Sequence, residues 1–183
     1  MDAIHGPNVR DKVIAEGRIS EADVRPFLVG LGKALDALHS AGILHRDISP
    51  TNVALEDGDW SRPVLLDFGL AKREFDHALT QSDLLLGTPG YMDPEIVRGD
   101  PATAKGDLFS LGMLARYAVV AAAPFPDRRG MALINHMSRH SVSIPQELSA
   151  PIRILLRSLT QIDPSLRPES AKQLLEVLER DEF

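Results

Sequence analysis

The longest apolar stretch of the chain, from Leu108 to Phe125, constrains the fold most. Its length approaches that of a membrane-spanning helix, but Arg116 lies near its middle. An arginine at the centre of a spanning helix costs about 2.5–3.5 kcal/mol on insertion. Helices that are apolar on all sides also occur in the cores of large domains. We therefore predict a buried central helix and no membrane partner.

Composition and charge limit the remaining classes. The chain has 183 residues, of which 44% are apolar and 25% charged, and this is typical of a globular domain with a sizeable core. A net charge of -6 argues against nucleic acid as the main partner. Without cysteine there are no disulfides, thiolate metal sites or cysteine nucleophiles. The N-terminus, MDAIHGPNVRDK, has no signal-peptide pattern, and we predict a cytoplasmic protein.

Capping residues and apolar spacing predict mostly helix. Asn8 is expected to cap a short helix that ends at Gly17. Ser20 begins a longer helix that Gly42 stops, and Pro26 within it predicts a kink or a later start. Four more helices are predicted near Ala104–Ala121, Gly130–His140, Ala150–Gln161 and Ser170–Arg180.

A small β element interrupts this helical pattern. Two short apolar runs, Val53–Leu55 and Val64–Leu66, flank the turn dipeptide Asp57-Gly58. Such runs on either side of a turn predict a hairpin. The fold class is therefore mainly α, with a small hairpin that holds polar loops.

Five motifs occur in an order that resembles the protein kinase family. They are His45-Arg46-Asp47 with Asn52 five positions after the aspartate, Asp67-Phe68-Gly69, Gly87-Thr88-Pro89-Gly90-Tyr91 with Asp93-Pro94-Glu95, the segment from Gly106 to Gly112, and Arg167. Each triplet alone is a weak signal, but the ordered set is specific and covers essentially the whole chain. The segment from Gly87 to Tyr91 favours the serine/threonine type.

The resemblance implies a kinase C-lobe, a helical bundle whose β-hairpin carries the catalytic loop (45–52) and the metal-binding loop. The activation segment would span 67–95. Asp47 would accept the proton of the substrate hydroxyl, while Asn52 and Asp67 would hold Mg²⁺ against ATP. An isolated aspartate or asparagine is more often a turn or cap residue, but the ordered motif set favours the catalytic interpretation.

The resemblance also implies supporting roles. Ser49 and Thr88 would position phosphate or substrate. Arg46 would bind a phosphate on the activation segment, for which an unregulated segment is the alternative. The candidate phosphorylation sites are Thr80, Ser82 and Thr88. Structural roles are expected for His45, Phe68, Gly69, for Asp107 as acceptor of catalytic-loop amides, and for a buried pair of Glu95 with Arg167.

Several features depart from the family pattern. Ser49 replaces the usual lysine, and Asp93 replaces the commoner alanine. The 183 residues contain no glycine-rich loop, strand lysine or partner-helix glutamate before the catalytic loop. We therefore interpret residues 1–6 as a remnant of the interlobe hinge and 7–183 as a C-lobe without its N-lobe. That lobe would come in cis or in trans, and the chain alone is expected to be inactive.

Two other functions remain open. One is a pseudokinase-like scaffold that binds a protein partner, and the other, less favoured, is a kinase-like small-molecule phosphotransferase.

We assign no chemical role to two other local patterns. Gly30-Leu31-Gly32 lacks a third glycine and indicates close helix packing. His136 and His140, four apart, have no evident third metal ligand and indicate a solvated face.

Overall fold

The computed structural model describes residues 5–66 and 89–180. The helices are α1 (Val9–Glu16), α2 (Glu21–Ser40), α3 (Pro94–Arg98), α4 (Ala104–Val120), α5 (Gly130–Met137), α6 (Ala150–Leu159) and α7 (Ala171–Glu179). The strands are β1 (Val53–Leu55) and β2 (Pro63–Leu65). Short 3-10 turns occupy Glu56–Gly58, Pro89–Tyr91 and Pro164–Leu166. The described part of the chain is thus mainly helical with one two-stranded sheet, in agreement with the predicted fold class.

The two N-terminal helices begin at the predicted caps. Asn8 accepts a hydrogen bond of 2.8 Å from the amide of Asp11 and starts α1. At α2 the Ser20 hydroxyl and Asp23 form the expected capping contacts. α2 begins at Glu21 and continues through Pro26. The predicted later start of this helix is therefore wrong. The Ser20 side chain accepts a hydrogen bond from a backbone amide in the first turn of α2, and Pro26 removes only one backbone donor from the helix.

The hairpin is present with the expected pairing. β1 and β2 are antiparallel, and Ala54 lies opposite Val64. β2 starts at Pro63, one residue earlier than predicted, and ends before Leu66. Asp57 adopts a left-handed conformation in the connecting turn, with φ of 54°. The pairing brings the residues that follow β2 back towards the loop that precedes β1.

The central helix is α4, and it is buried along nearly its whole length. Arg116 is tolerated there because Nη1 donates to the carbonyl of Ala122 at 2.6 Å and Nε donates to that of Ser143 at 3.2 Å. Burial lowers the pKa of this guanidinium below its ordinary value. Within the described ranges, no helix has both the length and the apolar character needed to cross a bilayer.

Glycines allow the helices to approach one another closely. A Cβ on Gly30 would lie 2.6 Å from the ring of Pro63, and one on Gly32 would lie 3.0 Å from Leu175. A Cβ on Gly112 would lie 2.6 Å from Leu159, where α4 meets α6. The packing interpretation of Gly30 and Gly32 is confirmed, since both face a neighbouring element rather than an open loop.

Candidate active site

The loop from His45 to Asn52 is attached to the central helix through its backbone. The buried Asp107, in the first turn of α4, accepts the amide of His45 through Oδ2 at 2.9 Å. Its other oxygen, Oδ1, accepts the amide of Arg46 at 2.8 Å. These are the hydrogen bonds expected for Asp107, and they attach the start of the loop to the first turn of α4.

A histidine that the sequence analysis did not identify shares this aspartate. His39, near the end of α2, places Nε2 at 2.8 Å from Oδ2 of Asp107. Its side chain is only 12% exposed. His39 follows the fully buried Leu35 by four positions, so it lies on the apolar face of α2. That position was the one sequence signal that a polar group here would be buried and need a partner.

Arg46 occupies an unusual backbone conformation. Its φ is +70°, a left-handed value that costs about 1–2 kcal/mol for a residue with a Cβ. The hydrogen bond to Asp107 helps to hold it there. The Nε atom is buried and has no hydrogen-bond partner among residues 5–66 and 89–180. The proposed phosphate acceptors Thr80, Ser82 and Thr88 lie outside the described residues, so the phosphate contact of Arg46 stays a prediction.

His45 connects the loop to the end of the hairpin. Nδ1 accepts the amide of Asp47 at 3.4 Å, a long hydrogen bond that assigns the proton to Nε2. Nε2 then donates to the carbonyl of Leu66 at 3.0 Å. The amide of Leu66 in turn donates to the carbonyl of Asn52 at 2.9 Å. Two points of the catalytic loop therefore hold the residue that precedes Asp67.

Asp47 and Asn52 are in direct contact. The Asn52 side-chain amide donates to Oδ2 of Asp47 at 2.6 Å and to its carbonyl at 3.0 Å. Both side chains are half-buried rather than enclosed. Asp47 therefore presents an oriented carboxylate at a position that a substrate could reach.

Of the two predicted magnesium ligands, Asn52 lies within the described residues. Because the Asn52 nitrogen is committed to Asp47, the amide oxygen Oδ1 is the atom left to bind a cation. Magnesium prefers such oxygen ligands together with carboxylates and water. The second predicted ligand, Asp67, lies outside the described residues, as do Phe68 and Gly69.

Ser49 is enclosed by its neighbours in the catalytic loop. Its side chain is fully buried, and its hydroxyl lies 3.1 Å from that of Thr51. The positioning role of Ser49 stays a prediction. The burial of Ser49 has a local cause, because Ile48 and Pro50 on either side are buried as well.

The end of the activation segment is held by a buried ion pair. Nη2 of Arg167 donates to both oxygens of Glu95 at 2.9 Å, as expected for these residues. Nη1 donates to Oδ1 of Asp93 at 3.2 Å, an additional partner that the sequence analysis did not anticipate. The guanidinium is fully buried, and burial lowers its pKa while Glu95 acts in the opposite direction. Asp93 is thus part of the network rather than a neutral replacement for alanine.

His136 and His140 form a stacked pair. Their rings stack with centroids 4.2 Å apart and planes inclined by 7°. In residues 5–66 and 89–180, no group of three or more potential ligands is arranged to hold a metal ion. His136 is half-buried and His140 is exposed.

The chain is similar to known protein kinases. The family model for the protein kinase domain matches residues 1–178. The probable serine/threonine-protein kinase PkwA of Thermomonospora curvata is 33% identical over 175 residues, which are 95% of this chain and 23% of that protein. The probable serine/threonine-protein kinase pknA2 of Bifidobacterium longum is 32% identical over 185 residues, covering 97% and 24%. The 3-phosphoinositide-dependent protein kinase 1 of Arabidopsis thaliana is 27% identical over 192 residues, covering 100% and 39%.

The chain belongs to the protein kinase domain family. It spans 23% to 39% of the length of these three relatives.

Proposed function

We propose that these residues are the C-lobe of a serine/threonine protein kinase, which transfers the terminal phosphoryl group of ATP to a cytoplasmic protein. The contact of 2.6 Å between Asn52 and Asp47 carries this proposal. It places a candidate base and a candidate magnesium ligand together on a loop anchored by Asp107. Similarity to two probable bacterial serine/threonine kinases supports the choice of substrate hydroxyl.

Each residue has a defined task in this proposal. Asp47 accepts the proton from the attacking hydroxyl, and Asn52 orients the carboxylate through its side-chain amide. Asn52 Oδ1, with Asp67, would hold magnesium, which when bound neutralises charge on the phosphates of ATP. The hydrogen bond between His45 and the carbonyl of Leu66 joins the catalytic loop to the residue that precedes Asp67. Phosphoryl transfer depends mainly on such positioning and charge compensation.

The 183 residues alone are proposed to have no useful activity. They contain no glycine-rich loop and no strand lysine before the catalytic loop. If losing one wall of the ATP site halves a binding free energy of about -8 kcal/mol, about -4 kcal/mol remains, which corresponds to millimolar affinity. Each lost charge stabiliser further costs about 10²–10³ in rate. An N-lobe supplied in cis or in trans would provide both.

A binding module is the second candidate, and the position of Ser49 favours it. The family usually has a lysine here, which supplies charge to the transferring phosphate, whereas Ser49 is neutral and fully buried. A scaffold would not need that charge. The contact between Asp47 and Asn52 argues in the other direction, since a scaffold would not need an oriented carboxylate there.

A phosphotransfer assay tests the proposal in two samples. One is the 183-residue chain, and the other is the same chain preceded by a kinase N-lobe; each is compared with Asp47→Asn and with the exposed control Asp127→Asn. We expect serine or threonine phosphorylation only with the N-lobe, abolished by Asp47→Asn and retained by Asp127→Asn. Turnover by the isolated chain above its Asp47→Asn variant would refute the N-lobe requirement. Absence of Asp47-dependent turnover in the longer protein would favour the scaffold.

A further inference from the structure

The first turn of α1 lies directly against the catalytic loop. The amide of Arg10 donates to the carbonyl of Pro50 at 3.0 Å, and Asn8 forms an isolated β-bridge with Ala54. Pro50 follows Asp47 by three positions. The backbone of Arg10 is therefore held next to the candidate base, while its side chain is exposed.

Two tyrosine side chains lie beside Arg10. Tyr91, in the turn Pro89–Tyr91, and Tyr117, in α4, pack edge to face with ring centroids 6.1 Å apart. Burial raises the pKa of each phenol, and the positive charge of Arg10 acts in the opposite direction on both. An influence on both phenols indicates that the guanidinium lies near the two rings. We call Arg10, Tyr91 and Tyr117 the α1 donor cluster.

The α1 donor cluster offers hydrogen-bond donors to a ligand. Phenols with a raised pKa stay protonated at neutral pH and donate one hydrogen bond each, and a guanidinium carries five N–H donors. Tyr91 is buried, whereas Tyr117 is half-buried and Arg10 is exposed. The cluster is therefore open to solvent at Arg10 and Tyr117, and it suits an anionic acceptor.

Two arginines place positive charge at Tyr91. Both Arg116 and Arg10 act to lower the pKa of this phenol. Arg116 donates to backbone carbonyls, and no ion pair within residues 5–66 and 89–180 includes either arginine. The two carboxylates that follow Tyr91 in the chain bind Arg167 instead.

Asp11 offsets this charge at one side of the cluster. It follows Arg10 in α1, and its negative charge raises the pKa of Tyr117. Its Oδ2 accepts a hydrogen bond of 3.0 Å from the side-chain amide of Asn8. The charges that act on Tyr91, in contrast, are the two guanidiniums. A ligand carboxylate is therefore favoured at the side of the cluster that faces Tyr91.

We propose that the α1 donor cluster binds a carboxylate side chain of the protein substrate. The cluster lies between the catalytic loop, through Pro50, and the turn Pro89–Tyr91. A substrate whose hydroxyl reaches Asp47 would place neighbouring residues beside it. Arg10 would supply a charge-assisted hydrogen bond, which is stronger than a neutral one. The proposal rests on the proposed kinase function and adds a preference for serine or threonine near an acidic residue.

Binding is measured first on the 183-residue chain, without phosphoryl transfer. The arginine Nε–H signals of ¹⁵N-labelled protein are followed by NMR at mildly acidic pH, and Arg10→Gln assigns the signal of Arg10. The ligands are serine peptides with a single glutamate placed in turn at each flanking position, the matched glutamine peptides, and inorganic phosphate. We expect one glutamate position to shift the Arg10 signal with an affinity about tenfold above that of its glutamine counterpart.

The second measurement is kcat/KM for the same peptides with the chain preceded by a kinase N-lobe. Arg10→Gln should abolish the preference for glutamate over glutamine, and Tyr117→Phe should reduce it. Arg10→Glu should instead favour lysine at that position. Arg157→Glu reverses an exposed arginine on α6 and is the charge-matched control, which should keep the glutamate preference. Circular dichroism melting verifies that each variant is folded.

The outcomes separate this proposal from the proposed function. The proposal is overturned if glutamate causes no shift of the Arg10 signal, if Arg157→Glu loses the preference equally, or if inorganic phosphate binds more tightly than the glutamate peptide. Each of these results leaves Asp47-dependent turnover intact. A glutamate-dependent shift of the Arg10 signal without turnover would support carboxylate binding by the cluster and contradict phosphoryl transfer.

Discussion

Asp107 accepts a hydrogen bond of 2.8 Å from the amide of Arg46, although 61 positions separate the two residues. The contact joins the first turn of the central helix to the loop that contains Asp47. It also supports the left-handed backbone of Arg46. The carboxylate of Asp107 binds His39 as well, so one buried side chain holds α2, α4 and the catalytic loop together.

Replacing Asp107 should therefore destabilise the domain strongly. Asp107→Ala leaves the buried amide of His45, the half-buried amide of Arg46 and the side chain of His39 without this partner. We expect a loss of about 3–5 kcal/mol in the free energy of unfolding. Urea denaturation followed by circular dichroism measures it. Asp127→Ala, at an exposed position, should change this free energy by less than about 0.5 kcal/mol. Similar midpoints for both variants would contradict the anchoring role.

The two carboxylates on Arg167 should contribute unequally. Glu95 accepts through both oxygens at 2.9 Å, whereas Asp93 accepts through one at 3.2 Å. Removing Glu95 leaves a buried guanidinium short of its main counter-charge, so Glu95→Ala should cost about 3–5 kcal/mol. Asp93→Ala removes the single, longer hydrogen bond to Arg167 together with the cap of α3, and should cost about 2–3 kcal/mol.

Chemical denaturation of both variants, and of the double variant Asp93→Ala/Glu95→Ala, tests this order. Because both carboxylates contact one guanidinium, the double variant should deviate from the sum of the single effects. A larger loss for Asp93→Ala than for Glu95→Ala would show that the assigned order is wrong.

Gly30 should be intolerant of a side chain. A Cβ there would lie 2.6 Å from the ring of Pro63, and neither α2 nor the proline ring can yield easily. We expect Gly30→Ala to reduce the free energy of unfolding by about 1–3 kcal/mol, despite the better helix propensity of alanine. Gly90→Ala, where a Cβ meets no atom of the described residues within 4 Å, is the control and should be nearly neutral. A stabilising effect of Gly30→Ala would refute the close packing.

The pKa of His136 should depend on Arg128. After burial, the positive charge of Arg128 is the main influence that lowers this pKa, so Arg128→Gln should raise it towards the ordinary histidine value. NMR titration of the imidazole carbons measures the change, with Arg157→Gln as control. An unchanged pKa in Arg128→Gln would show that the two side chains do not interact.

The sign of the associated stability change follows from linkage. A histidine whose pKa is lowered on folding binds protons more readily in the unfolded chain. The contribution of His136 is therefore fully present above the ordinary histidine pKa and is lost as the pH falls through the folded value. Arg128→Gln should weaken this dependence, which thermal melting at a series of pH values would record.

Local features of the sequence predicted local structure well. Asn8 and Ser20 start helices where expected because a cap needs only an amide three positions away. The hairpin followed from two apolar runs and one turn dipeptide. The early start of α2 also has a local cause, since the cap at Ser20 allows the helix to begin before Pro26.

Residues defined by distant contacts could not be predicted in the same way. The only sequence signal for the role of His39 was its place on the apolar face of α2, and its partner Asp107 is 68 positions away. Asp93 was considered a tolerable substitution because nothing near it in the sequence indicates Arg167, 74 positions on. The burial of Ser49 likewise depends on how its neighbours pack, which its motif position does not indicate.

The sequence by itself determined the helical class, the hairpin and the identity of the motif residues, because periodicity, capping and motif spacing depend on neighbours along the chain. The tertiary structure decided which of these residues meet. Asp107 accepts hydrogen bonds from the catalytic loop, and Arg167 donates hydrogen bonds to two carboxylates. Both sets of contacts form only because α4 and the segment before α7 pack beside those loops. Such contacts come from helix packing and the need to satisfy buried polar groups, which short-range sequence patterns do not encode.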